Sequence, residues 1–270
     1  MRLNEVVVTG LGVVLPNCDR RELFWQHLSQ GQSQLTWEED PSEPGRHLPM
    51  GRVKDFDPDR YFDGEIPAKH YRRYHREQQL YLASVILARR DARLQLSDVP
   101  PERVGIFSGT SRGNFAFWHE RALRERELPV SELYGQRELM VGVPGQAANL
   151  AAAAFGIQGP TYTFNGTCSS GAIAIGHALR EVQLGFVDVA FGTGHDCPLI
   201  APLYQMYKKV ELLSYEREDP RRAVRPFVGH SRNAFAEGAV TLVLENAEHA
   251  RARGAPVLAT LAGYQYGNTG

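Results

Sequence analysis

Between Thr161 and Val182 the chain reads TYTFNGTCSSGAIAIGHALREV, a strand, a turn of small residues and a helix with nothing between them. The helix carries Ala172, Ile173, Ala174, Ile175, Ala178 and Leu179. It is apolar nearly all round, and such a helix has to be covered on two sides. The chain must therefore build layers around it rather than set it on a surface. Cys168 sits in the turn. A lone cysteine in an apolar segment is most simply a small core residue. Three features oppose that reading here. Small residues surround the thiol and allow a sharp turn and close approach of a ligand. The thiol lies at a helix N-terminus, where unpaired N–H groups and the helix dipole favour a thiolate. The helix itself is rigidly buried, which preorganises whatever it carries at its tip. The same strand–turn–helix layout serves as a nucleophile elbow in unrelated hydrolases, although the G-x-S-x-G sequence is absent.

The rest of the chain alternates in the same way. EVVVTGLGVV, RVGIFSGT, VDVAFGTGHD, AVTLVLEN and PVLATLAGYQYG read as strands. DRRELFWQHLSQG reads as a short helix with Leu23, Phe24, Trp25 and Leu28, stopped at Gly31. REQQLYLASVILARRDARL reads as an amphipathic helix with one broad apolar face, and GQAANLAAAAFG as a small-residue helix. Residues 35–65, rich in Pro, Asp, Glu and Gly, are expected to form a long surface loop. The alternation predicts an α/β fold with parallel neighbours and helices on both faces of the sheet.

Charge and cysteine usage narrow the function classes. A net charge of -1 leaves no global field for nucleic acid or an anionic membrane. The three cysteines, Cys18, Cys168 and Cys197, cannot all pair and form no C-x-x-C metal pattern, which fits reduced thiols. The N-terminal MRLNEVVVTGLGVV is too short for a membrane span and lacks a signal-peptide cleavage pattern, so a cytoplasmic location is expected. No phosphate-binding glycine motif occurs at a strand–helix junction. His195, Asp196 and Cys197 are neighbours on an extended segment and should point to opposite faces, without metal-ligand spacing.

The blocks VVVTGLGVVLPN, FWQHLSQGQS, GRVKDFDPDRYF, VGIFSGTSRGN, GIQGPTYTFNGTCSSGAIAIGHALREVQLGFVDVAFGTG, VRPF and LVLENAEHARARGAPVLATLAGY occur in that order. Together they resemble the N-terminal half of β-ketoacyl synthases, the condensing enzymes of fatty acid and polyketide assembly. The resemblance covers residues 1–270 as one N-terminal ketosynthase domain. It implies a thiolase-like fold, here one half with a mixed, largely parallel sheet. It implies that Cys168 accepts an acyl group as a thioester, for decarboxylative condensation with a malonyl unit. Both groups would arrive on the phosphopantetheine of an acyl carrier protein, with no metal and no cofactor resident in the chain. The Cys168 backbone N–H would be one of two oxyanion donors. Thr167 beside it is a substrate-site residue. Tyr207 falls where the family lines the acyl pocket with an aromatic residue. Arg112 falls where many members carry an aliphatic one, which argues against a deep aliphatic tunnel.

Departures from the family pattern suggest a specialised member. The acidic-threonine-alanine run before the cysteine is Asn165–Gly166–Thr167, and Pro-Phe-Asp becomes Pro226–Phe227–Val228. The Gly-Glu-Gly region, RNAFAEGAVT, is shortened, and His75 replaces an acidic residue near KHYRRYHREQ. The family draws two histidines, a lysine and the second oxyanion donor from its C-terminal half, and the sequence ends at GYQYGNTG, near where that half begins. His177 lies about two and a half turns along the helix from Cys168, too far to reach the thiol at about 1.5 Å per residue. His195 and His230 are expected in loops, as packing or surface residues. A helix left bare on one face forfeits about 1.5–3 kcal/mol per large side chain and favours association. The expectation is therefore a hetero-oligomer. In one version a second polypeptide supplies the missing half and its histidines, a split synthase. In the other the chain is a non-catalytic chain-length-factor-like subunit beside a full ketosynthase; a third explanation of the length is that the sequence is cropped from a longer chain. Cys168 favours the first, because chain-length factors commonly lack the cysteine. The basic runs KHYRRYHR and EDPRRAVR are solvated faces that could also dock an acidic carrier protein.

Overall fold

The computed structural model describes residues 3–143, 145–228 and 232–267. In chain order the elements are β1 (Val6–Val14), α1 (Arg21–Ser29), β2 (Thr36–Glu39), β3 (His47–Met50), α2 (Pro58–Phe62), α3 (Ala68–Tyr71) and α4 (Arg76–Asp91). Then come β4 (Val104–Gly109), α5 (Phe115–Arg124), α6 (Val130–Leu133), α7 (Gln136–Val141), α8 (Gln146–Phe155), β5 (Thr161–Phe164) and α9 (Ser170–Gln183). Last are β6 (Val189–Asp196), α10 (Ala201–Lys209), β7 (Gly238–Asn246), α11 (Ala247–Ala252) and β8 (Ala259–Thr260).

The main sheet runs β5–β4–β6–β7–β1–β8. Its β5–β4–β6 side is parallel, while β7 pairs antiparallel with both β6 and β1, and β8 antiparallel with β1. The pairings put β5, β4, β6 and β1 in one direction, with β7 and β8 opposed, so the mixed sheet is largely parallel in strand direction. Alternation along the strands divides the core. Val104 and Ile106 of β4 with Val189 and Phe191 of β6 face α4 and α8 on one side. Phe107 and Ala190 face α9 on the other. This period of two is what lets one strand serve both layers.

Helix α4 is not the one-faced amphipathic helix its sequence suggests. Leu80, Tyr81, Leu82, Ala83, Ser84, Val85, Ile86 and Ala88 are all buried, because the helix lies between the sheet and the α2 and α8 segments. Its polar side chains are answered internally: Ser84 Oγ lies 2.7 Å from Thr241 Oγ1, which lies 2.9 Å from Thr193 Oγ1. Helix α9 buries Ala174, Ala178, Leu179 and Val182 against the sheet. Its other side is partly covered by the chain itself. The Tyr264 ring packs where a Cβ on Gly176 would stand, and the Arg180 guanidinium lies over both Tyr264 and Tyr266. The second layer expected from a partner is thus supplied in part by residues 261–266.

Three local expectations are corrected. Residues 35–65 are not a single loop: they contain the β2–β3 hairpin and α2, the latter capped by Asp57 and entered through Pro58. Residues 256–267 contain only the two-residue β8. His195 is not in a loop but at the buried end of β6.

Candidate functional site

The site is built where the ends of β4, β5 and β6 meet the start of α9. After β5 the chain turns through Asn165–Gly166–Thr167, and Thr167 adopts φ 52°, a left-handed conformation uncommon for a residue with a β-branched side chain. Ser170 locks the turn: its Oγ accepts from Gly166 N at 2.9 Å and donates to Thr167 O at 2.6 Å. Ser169 Oγ donates to Gly166 O at 2.7 Å. Glycines then let α9 approach the strand ends. A Cβ on Gly109 of β4 would stand 2.1 Å from Ser170 O, and one on Gly171 would stand 3.1 Å from Gly194 Cα of β6.

Cys168 is held at this junction with its side chain exposed. It opens on a cleft of about 300 Å³ lined by residues that include Leu15, Gly109, Thr167, His195 and Glu237. The other two thiols are differently placed. Burial pushes the Cys18 thiol up. Burial, with the charge of Glu237, pushes the Cys197 thiol well up, and its Sγ donates to Glu237 Oε2 at 3.0 Å. Burial alone would raise Glu237, but Arg76 and Cys197 donate to it and bring it below the ordinary carboxylate range. Of the three cysteines, Cys168 is the one whose side chain is exposed, and it lines the cleft.

Arg112 and Tyr207, far apart in sequence, meet: Arg112 Nη2 donates to the Tyr207 hydroxyl at 2.8 Å, with the guanidinium 5.9 Å from the ring centroid. Tyr207 stacks edge-on to Phe235. The Arg112 turn adjoins the cysteine turn, since Thr110 N donates to Phe164 O at 3.1 Å. Thr167, Cys168, Arg112 and Tyr207 therefore belong to one end of the sheet, with the last two as a pair.

The structure adds a group that the sequence reading passed over. Ser108 Oγ lies 2.7 Å from His195 Nε2, and Glu77 Oε1 lies 3.0 Å from His195 Nδ1. All three are buried. The alternation Val189, Phe191, Thr193, His195 already carried the signal that His195 faces α4. Asp196, on the next position, turns to the Arg112 turn and accepts from Ser111 N and Arg112 N. His177 stacks on Phe164, 4.4 Å between centroids, and does not serve the thiol. His230 lies outside the described residues. His75 caps the start of α4 and lies 3.3 Å from Glu120. Of the basic run, Lys69, His70, Arg72 and Arg73 are exposed, while Arg76 turns inward to Glu237. Among the described residues no group of three or more His, Cys, Asp or Glu side chains could hold a metal ion, and no helix is long and apolar enough to cross a membrane.

Comparison with known proteins agrees with this geometry. Residues 3–250 match the family described as "Beta-ketoacyl synthase, N-terminal domain". The chain is 34% identical over 274 residues to "Putative polyketide beta-ketoacyl synthase 1" of Streptomyces halstedii, covering 98% of this chain and 64% of that protein. It is 29% identical over 268 residues to 3-oxoacyl-(acyl-carrier-protein) synthase 2 of Synechocystis sp., covering 96% and 62%. Among solved structures it resembles a type II polyketide synthase acyl carrier protein in complex with its ketosynthase bound to the hexaketide, with TM-score 0.82 and 26% identity over 97% of this chain and 62% of that one. It has the same fold as the ishigamide ketosynthase/chain length factor, with TM-score 0.82 and 24% identity over 97% and 63%. The chain thus spans somewhat under two thirds of each of these relatives. A strand-end cysteine on a buried helix, the mixed sheet and the sequence match converge on one assignment: the chain belongs to the β-ketoacyl synthase family, as its N-terminal domain.

Proposed function

We propose that the chain is the nucleophile-bearing domain of a β-ketoacyl synthase, with residues 1–270 acting as that one domain. The Cys168 thiolate attacks the carbonyl carbon of an acyl thioester borne on the phosphopantetheine of an acyl carrier protein. The carrier thiolate leaves and an acyl-Cys168 thioester forms. A malonyl unit on a carrier then loses CO2, its carbanion attacks the Cys168 thioester, and the Cys168 thiolate leaves. The observation that carries this reading is the placement of Cys168, exposed on a cleft at the start of a buried helix, while Cys18 is buried and Cys197 is half-buried against Glu237.

Thr167 borders the reacting carbonyl, and the Arg112–Tyr207 pair bounds the acyl group, so that polar or short acyl chains are preferred. The histidines that assist decarboxylation come from the C-terminal half of the family fold rather than from residues 1–270. Two facts support this: both ring nitrogens of His195 face Ser108 and Glu77, and His177 is stacked on Phe164. The exposed Lys69, Arg72 and Arg73 offer a docking face for an acidic carrier.

The test is acylation. The chain, alone and with candidate partners, is incubated with acyl carrier thioester and its mass read by tryptic mapping. An acyl group on Cys168, absent in Cys168→Ala, is expected. No adduct in any complex would sink the catalytic role and leave the chain-length-factor-like, non-catalytic one.

A further inference from the structure

Between α3 and α7 lies a cavity of about 150 Å³ that shares no residue with the cysteine cleft. Its polar lining is His70, Arg73 and Tyr74, on and just after α3, with Gln136 and Arg137 at the start of α7. The rest is apolar, and among the described residues no acidic side chain lines it. Each of these polar side chains can donate a hydrogen bond. Among the described residues, the side chains of His70, Arg73 and Gln136 and the Tyr74 hydroxyl have no hydrogen-bond or ion-pair partner.

Arg137 is only partly answered. Its Nε donates to Arg73 O at 3.0 Å, and its guanidinium lies over the Phe117 ring. Glu138 stands 3.9 Å from Nη1, but that carboxylate is already held by Arg121 at 2.6 Å. Glu120 is engaged by His75 at 3.3 Å. Burial, and then the charge of Arg121, pull the Arg137 guanidinium below its ordinary pKa. Around the cavity, Arg73, Arg121, Arg124 and Arg137 outnumber Glu120 and Glu138 by two charges. The fold thus rests one guanidinium on the backbone of another arginine, beside an open space, with no anion between them. Water takes about 30 Å³ in the liquid, so the space suits about five waters or one hydrated oxyanion.

We propose that this cavity is a phosphate site, binding the phosphoryl group of inorganic phosphate or of a phosphate monoester between Arg73 and Arg137. Tyr74, His70 and Gln136 are its further donors. Guanidinium forks match phosphate oxygens in pairs. Charge selects the dianion, because a carboxylate would answer one of the two excess charges and a phosphoryl group answers both. The site is separate from Cys168 and does not depend on its chemistry. Phosphate bound there takes Arg73 from the face offered to an acidic carrier and should weaken carrier docking. That consequence alone rests on the function proposed above.

The experiment is an NMR titration of the full chain at about pH 8, where phosphate monoesters are dianionic, with ionic strength held constant by chloride. The backbone amides of Arg73, Tyr74, Gln136 and Arg137 are expected to shift saturably with inorganic phosphate and not with acetate. Glycerol 3-phosphate is the second arm. Saturation by both ligands assigns the phosphoryl group as such, and saturation by inorganic phosphate alone assigns the free ion. Arg137→Gln and Arg73→Gln should each weaken binding about tenfold, the factor that one hydrogen bond to a charged group supplies. Arg73 is exposed, so its variant leaves the fold intact. Arg20→Gln, an equal change of net charge at an exposed residue outside the lining, should leave binding unchanged. No saturable shift, an equal response to acetate, or binding that survives both cavity variants would overturn the proposal. Acylation of Cys168 is read on separate samples: phosphate binding in a chain that never acylates upholds the site and removes only the link to the carrier.

Discussion

At the residue scale the site depends on what is missing as much as on what is present. Gly109 has no side chain because Ser170 O stands 2.1 Å from where its Cβ would be. Gly109→Ala must push α9 off the end of β4, and overpacking of that kind costs about 1–3 kcal/mol. A lower urea midpoint is expected, with slower alkylation or acylation of Cys168, because the thiol rides on the displaced helix start. An unchanged midpoint would show that the helix end is looser than its contacts imply. The position of Cys168 at a helix start was legible in the sequence, since strand, small-residue turn and apolar helix follow one another within a few residues. The Arg112–Tyr207 pair was legible only as two separate positions. Its members are 95 residues apart, and only packing brings them to 2.8 Å.

At the element scale, polar side chains buried between layers do the fastening. Glu245 on β7 is 0% exposed and binds Arg253 beyond α11, His249 on α11, and Thr9 on β1. Burial alone would raise its pKa, but the hydrogen bonds from Arg253 and His249 bring it below the ordinary value. A carboxyl depressed in the fold contributes stability that is complete above its unfolded value, about 4.3. That stability is lost as pH falls through the folded value. Urea midpoints should therefore decline from pH 5 towards pH 3. Arg253→Ala strands the buried carboxylate and should cost about 3–5 kcal/mol at pH 7. It should also remove this acid sensitivity, because burial then dominates the titration of Glu245. Element identities were mostly readable, as strand and helix periods differ. The β2–β3 hairpin was not, because Trp37 and Leu48 are isolated among charged residues and prolines, and the pairing of Thr36 with Met50 is what makes them strands.

At the scale of the whole molecule, apolar surface remains uncovered. Leu212, Tyr215, Val224, Phe227 and Val228 are each at least 40% exposed, and so are Leu123, Leu128, Val130, Leu139 and Met140. Exposed apolar surface of this extent favours association. Sedimentation velocity across a range of concentrations should show self-association of the chain alone, relieved by a partner that covers these residues; a monomer at every concentration would refute it. The local pattern was enough to specify a layered α/β fold and a thiol at a helix start, because both follow from periodicity and residue size within a few neighbouring positions. Strand order, the Tyr264 cover on α9 and the Ser108–His195–Glu77 group were not available there. They depend on which distant residues the folded layers press together, and a buried charge finds its partner in space rather than along the chain.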